Sequence, residues 1–253
     1  MYSFPLSKYI KHITTSWYKE KPDLDLDPNL IADIQAMTAS VNRRTYEDQL
    51  LKRMRFIVFD TETTGFHPYA GDEIISIGAV VVENGVIQEK IFHELIQPRK
   101  PIPPIVTEIT GISNEDVVNA PPVLPVLHKF LQFIEDHYLV AHCADFDINF
   151  LNTKLKKLCR TKLSNPVIDT MSISYHVLPS NKSYGLDTLL DQYNIQVEGR
   201  HTALGDAVMT AELFLCFLDE LEKRGIETLH GLEGYIKTMH LLRQRQEAGY
   251  ASI

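Results

Sequence analysis

Apolar residues alternate or cluster in β-type runs through the middle of the chain and fall into helical stripes around them. Phe56-Ile57-Val58-Phe59 is a short, wholly apolar, partly β-branched run, which predicts a strand buried on both faces. Ile74 to Val82 predicts a second strand, and Glu83-Asn84-Gly85 supplies an Asn-Gly hairpin turn. Val86 to Ile96, alternating at Ile91, His93 and Leu95, is the third strand. Strands joined this tightly must be antiparallel neighbours. Tyr138 to His142 and Val167 to Thr170 predict a fourth and a fifth. Pro98 to Pro104 reads as a loop, Thr107 to Ile112 as a short helical turn closed by glycine, and Ser113 to Asp116 as a turn. Helical spacing marks Pro121 to Asp136, through Val123, Leu124, Leu127, Phe130, Leu131 and Ile134. It recurs in Phe146 to Leu158, Ser174 to Val177, Leu186 to Tyr193, Ala203 to Lys223 and a piece within Leu229 to Arg245. Hairpin strands followed by strand–helix alternation form an α/β pattern with a mixed sheet.

The first 53 residues have another texture. Leu6, Tyr9, Ile10 and Ile13 lie at helical spacing, as do Leu30, Ile31, Ile34 and Met37, with a polar, proline-bounded stretch from Lys19 to Pro28 between them. Asp27 before Pro28 is a good N-cap. The expected organisation is a helical extension over 1–53, a main domain over 54–225 and a helical tail over 226–253. The extension is expected to pack on the main domain; a partner-binding arm for a replication or repair protein is the alternative.

Composition changes this picture little. With 253 residues, 44% hydrophobic and 23% charged, the chain is of ordinary globular type. No apolar run approaches the ~18 residues needed to span a bilayer, so no membrane association is expected. Met1 to Lys11 shows no basic region followed by an apolar core, and Cys143, Cys159 and Cys216 fall in no metal-like spacing. Reduced thiols in the cytoplasm are the simple expectation. The net charge of −8 argues against a broad phosphate-gripping surface, though not against an enzyme that engages a strand end through bound cations.

The chemistry begins where the first apolar run breaks into Asp60 and Glu62. Residues i and i+2 of a strand share a side, and two carboxylates so placed resist burial unless a cation or shared proton compensates. Taken alone, they could equally be two hydrated acids at a strand end. If strands one and four are parallel neighbours, their carboxyl ends adjoin, where open α/β sheets place ligands. Strand four then leads into Ala141-His142-Cys143-Ala144-Asp145-Phe146-Asp147, with Asp147 in the first turn of the next helix. Arg200-His201-Thr202-Ala203-Leu204-Gly205-Asp206 opens the long last helix, with Asp206 about a turn and a half beyond His201. Carboxylates from three segments suit a pair of hard divalent cations, with a histidine as general base.

The motifs D-T-E-T-T-G, the F-D of A-H-C-A-D-F-D, and H-T-A-L-G-D resemble the three exonuclease motifs of the DEDDh (DnaQ-like) 3′→5′ exonuclease family, to which the epsilon proofreading subunit of bacterial DNA polymerase III belongs. I-T-G-I at Ile109 to Ile112 and D-T at Asp169-Thr170 extend the match over residues 54–222. The resemblance implies an RNase H-like fold with a five-stranded mixed sheet. It also implies stepwise release of nucleoside 5′-monophosphates by hydrolysis with two divalent cations, Mg²⁺ with Mn²⁺ able to substitute. Carried over by position, Asp60 would bridge both ions, Glu62 and Asp206 would complete the site of the ion that activates water, Asp147 would hold the other, and His201 would deprotonate the nucleophile. Thr63, Thr64, Gly65 and Phe66 would line the terminal nucleotide, with Ile109, Thr110, Gly111 and Ile112 against its base.

The family usually has asparagine after the histidine of the second motif; here it is Cys143, a weaker hydrogen-bonding group. His142 and Cys143 are thus substrate-side candidates whose placement the resemblance leaves open, with His142 also readable as a supporting residue. The run Lys154, Lys156, Lys157, Arg160 and Lys162 reads either as a guide for a strand or as a solvated helix face. The expected activity is a 3′→5′ exonuclease on single-stranded ends, DNA preferred. The rivals are an RNA 3′-end trimmer of the same family and an inactive nucleic-acid-binding adaptor.

Overall fold

The computed structural model describes residues 27–41 and 49–238. The stripe Leu6 to Ile13, most of the polar stretch after it and the end of the Leu229–Arg245 piece lie outside the described residues. Five strands form one mixed sheet: β1 (Arg55–Thr63), β2 (Ile74–Glu83), β3 (Val86–Leu95), β4 (Tyr138–Ala141) and β5 (Val167–Asp169). Their spatial order is β3-β2-β1-β4-β5. The two hairpin pairs are antiparallel, and β1–β4 and β4–β5 are parallel. The hairpin turn takes the positive φ that Asn84-Gly85 permits.

β1 runs further than its apolar residues. Asp60 and Glu62 lie inside the strand, opposite Gly78 and Ser76 of β2, and the register breaks only between Glu62 and Thr63. The acids are strand residues because β2 carries the hydrogen-bond ladder past them.

Helices cover both faces. They are α1 (Pro28–Ala39), α2 (Pro104–Thr110), α3 (Asn114–Val117), α4 (Val123–Ile134), α5 (Asp145–Cys159), α6 (Thr170–Val177), α7 (Leu186–Gln192) and α8 (Ala203–Lys223). Ile57, Phe59, Ala79 and Val81 pack with Phe130 of α4 and Phe150 and Leu151 of α5. Phe56, Val58, Val80 and Val82 pack on the other face with Phe214, Phe217 and Leu221 of α8. This alternation is the two-sided burial expected of a central strand.

Asp27 caps α1 by accepting from the Asn29 backbone N–H at 2.9 Å. Ile34 is fully buried in the α4/α5 core, Gln35 donates to the Cys159 carbonyl, and the Thr38 and Thr161 hydroxyls bond at 2.7 Å. Leu51 and Met54 lie in the α8 core with Leu229 and Leu232, and the Leu51 N–H donates to the Glu227 carbonyl. Residues 229–238 are helical.

Two local readings change. Ser113 to Asp116 is not a bare turn: a reciprocal capping box between Ser113 and Asp116 starts α3. The helix read from Ser174 begins at Thr170, because Asp169 accepts from the Met171 and Ser172 N–H groups as its N-cap. No helix among the described residues is long and apolar enough to cross a membrane.

Candidate active site

Asp60 and Glu62 continue the β1 face occupied by Phe56 and Val58, the face covered by α8. The strand partner of Asp60 is Gly78, where a Cβ would run into the backbone of Ala203 and Leu204. The missing side chain therefore lets the first turn of α8 close onto the sheet beside Asp60. One turn later stands Asp206. Oxygens of Asp60, Glu62 and Asp206 lie within 4.8 Å of one another, with Asp206 buried and the other two half-buried.

Asp147, in the first turn of α5, reaches β1 from the opposite face. Its Oδ1 accepts from the Thr61 N–H at 2.9 Å and from the Thr61 hydroxyl at 2.6 Å. Thr61 separates Asp60 from Glu62, so two hydrogen bonds fix the fourth carboxylate to the strand that carries the first two.

The start of α8 is shaped by its cap. Thr202 accepts from the Gly205 N–H and donates to the Gly199 carbonyl. A Cβ on Gly205 would collide with that same carbonyl. His201 precedes the cap, with φ of 62°, and is outside the helix rather than in its first turn. Its imidazole is exposed, while its backbone N–H donates to Asp206 Oδ1 at 3.3 Å.

The four carboxyls share an electrostatic problem. Burial first, then Asp147, Glu62 and Asp206, push Asp60 well above the carboxylate range. Glu62 is moved to about 8 by burial and by Asp206 and Asp147. Burial raises Asp147 to about 7 against the two Thr61 hydrogen bonds. Burial also raises Asp206, with Arg200 and the His201 N–H opposing. Such a cluster favours either protons or added positive charge.

Arg200 supplies one such charge, and the sequence reading gave it no role. Its Nη1 donates to Asp206 Oδ2, its Nε to Asp187 Oδ1 at 2.6 Å, and its Nη2 to Asp187 Oδ2 at 3.3 Å. The available signal was its place directly before His201. Thr61 and Gly78 were also missed.

The loop after β1 uses its polar groups internally. Thr63 donates to the Gly65 carbonyl at 2.6 Å. Thr64 exchanges bonds with Glu73, its N–H donating to the Glu73 carbonyl and its hydroxyl accepting from the Glu73 N–H. At Gly65 a Cβ would overlap the Asp72 carboxylate. Phe66 is 65% exposed. Phe66, Tyr69, Phe146 and Asn149, with the chain between Phe66 and Ala70, line a cavity of about 360 Å³.

Ile109, at the end of α2, is exposed. Thr110 is buried and donates to the Val106 carbonyl, Gly111 takes a φ of 73°, and Ile112 packs toward Ile75. His142 Nδ1 lies 2.9 Å from the Thr170 hydroxyl, and burial lowers its pKa. Cys143 has a φ of 59°, a conformation that asparagine adopts more readily than cysteine. Its thiol, 3.5 Å from Met171 Sδ, is pushed up to about 11 by burial. Lys154 is neither a strand guide nor part of a solvated face: it is buried and donates to Glu73 at 2.6 Å.

Comparison with known proteins places this architecture. The chain is 42% identical over 181 residues to the DNA polymerase III subunit epsilon-like protein of Rhodobacter capsulatus, covering 70% of this chain and 26% of that one. It is 37% identical over 182 residues to the 3′-5′ exonuclease DinG of Bacillus subtilis, covering 72% of this chain and 19% of that one. The chain thus spans about a quarter or less of the length of these curated relatives. Among solved structures, Exonuclease X in complex with 5′ overhanging duplex DNA superimposes with a TM-score of 0.54 at 26% identity, over 65% of this chain and 90% of that one. The five-stranded mixed sheet with flanking helices is the exonuclease, RNase H-like fold. Residues 57–214 match the exonuclease (RNase_T) family from near the start of β1 into α8, and the chain belongs to that family.

Proposed function

We propose that the chain is a divalent-cation-dependent 3′→5′ exonuclease that releases nucleoside 5′-monophosphates from single-stranded 3′ ends, with DNA preferred. The observation that carries this reading is the convergence of Asp60, Glu62 and Asp206 within 4.8 Å, with Asp147 tied to the intervening Thr61. The donors are all carboxylate oxygens, and every one of these carboxyls is raised by burial. That set fits a hard cation such as Mg²⁺ or Mn²⁺.

Asp60, Glu62 and Asp206 would hold one ion, and Asp60 with Asp147 a second. When bound, such ions polarise the phosphodiester and make water a better nucleophile. The chain's own residues do the rest. His201 takes the proton of the attacking water, and its backbone bond to Asp206 keeps the base beside the carboxylates. Thr61 holds Asp147 against the strand through two hydrogen bonds. Phe66 and Tyr69 offer exposed rings beside Phe146, a surface on which an unpaired base can stack.

The preference for DNA is supported by the DNA polymerase III subunit epsilon-like relative and by the DNA-bound Exonuclease X. The decisive experiment digests matched 5′-labelled single-stranded DNA and RNA with Mg²⁺. A ladder shortening stepwise from the DNA 3′ end is expected, with RNA degraded more slowly. Faster loss of RNA would overturn the substrate assignment, and internal cuts would overturn the exonucleolytic one.

A further inference from the structure

The groups facing the carboxylate cluster include one cation that the reaction, as derived above, does not use. Arg200 is only 23% exposed and bridges two helices: Nη1 bonds Asp206 at the start of α8, and Nε and Nη2 grip both oxygens of Asp187 on α7. The same Nη1 lies 3.3 Å from His201 Nδ1. Both Asp206 oxygens are therefore engaged by this chain's own donors, Oδ2 by Arg200 and Oδ1 by the His201 N–H. A guanidinium can only donate, so His201 Nδ1 accepts and a neutral ring carries its proton on Nε2.

We propose that Arg200 is a built-in counter-cation that competes with the divalent ion for Asp206 and must swing off Asp206 and His201, retaining Asp187, for the site to load. The inference rests on the cation-site reading above. Like charges repel, so a guanidinium bonded to a ligand oxygen lowers the affinity of that oxygen for a dication. Arginine suits this task better than lysine, because its planar fork can hold one carboxylate while releasing another. Asp187 is largely exposed, at 69%, and offers the departing guanidinium a place that requires no further burial of charge. Arg200 is thus a positioning residue: it sets how readily the ion is taken up and when His201 is released to act as a base.

The test is a calorimetric titration of the full chain with Mn²⁺ alone, without nucleic acid, for the wild type, Arg200→Gln and Arg200→Lys. Loss of a unit charge this close to a dication is expected to tighten Mn²⁺ binding by about tenfold. Arg200→Lys keeps the charge but not the fork, and should tighten binding by a smaller factor. It also reads the effect if the glutamine variant does not fold. Thermal unfolding supplies a second readout: without Mn²⁺ the glutamine variant should melt below the wild type, and Mn²⁺ should raise its melting temperature by more. A merely structural arginine predicts the same drop in melting temperature without Mn²⁺, but weaker Mn²⁺ binding and a smaller Mn²⁺-induced rise on its loss. Folded variants that bind Mn²⁺ no better than the wild type overturn the proposal. A wild type that binds no Mn²⁺ overturns the cation-site reading itself, and the proposal with it.

Discussion

Glu62 is one of the buried carboxyls through which pH should act on the stability of this protein, and the one whose share a single substitution reads most simply. Its carboxyl is moved from an ordinary 4.5 to about 8, by burial first and by Asp206 and Asp147 second. A carboxyl raised on folding holds its proton more tightly in the folded state than in the unfolded one. Its stabilising contribution is complete below about 4.5 and is lost as the pH climbs through about 8. Full ionisation of a group moved that far corresponds to about 5 kcal/mol. The half-buried side chain keeps part of its hydration, so a loss of ~2 kcal/mol is expected. For a domain of this size that is ~4–8 °C in melting temperature. The assay is thermal unfolding in chelator from pH 6 to 9, for the wild type and for Glu62→Gln, which fills the same volume and cannot ionise. The wild type should lose stability across this range and the variant should lose distinctly less. Saturating Mn²⁺ should remove most of the wild-type loss, because bound cation replaces the protons as compensating charge. Equal slopes for the two proteins in chelator would refute the reasoning.

Three further perturbations separate the scaffold from the chemistry. Gly78→Ala places a Cβ against the backbone of Ala203 and Leu204; it should cost about 3 kcal/mol in denaturant unfolding and weaken Mn²⁺ binding by shifting Asp206. Lys154→Met leaves the buried Glu73 with Arg99 alone, and urea unfolding should show a loss of about 3 kcal/mol. Phe66→Ala removes an exposed ring from the edge of the cavity. It should raise KM for single-stranded DNA by about tenfold, the worth of one base stack, and leave the melting temperature unchanged.

Much of the architecture was legible because it depends on local pattern. The Asn84-Gly85 turn announced the β2–β3 hairpin, and the abrupt change from Phe59 to Asp60 marked the acidic C-terminal part of β1. The amphipathic spacing of Ala203 to Lys223 announced the helix that delivers Asp206. What escaped depends on contacts distant in sequence. Gly78 sits within an apolar strand, and only the approach of Ala203, 125 residues later, explains it. Lys154 had a local signal, since it shares a helix face with Phe150 and Leu151, but its partner Glu73 lies 81 residues earlier. Arg200 was visible beside His201, yet its meaning comes from Asp187 on a different helix. Cys143 read as a weakened hydrogen-bonding group; its φ of 59° adds a backbone reason why asparagine suits that position.

The central claim is that Asp60, Glu62, Asp147 and Asp206 together form a two-cation centre for cleavage at a 3′ end. Its most direct test is the anomalous difference density of crystals soaked with Mn²⁺ and a deoxynucleoside 5′-monophosphate. The account predicts two peaks sharing Asp60, one also touching Glu62 and Asp206 and the other on the Asp147 side, with the nucleotide phosphate on both. No peak at these carboxylates, or a nucleotide bound elsewhere with its phosphate away from Asp60, would contradict it.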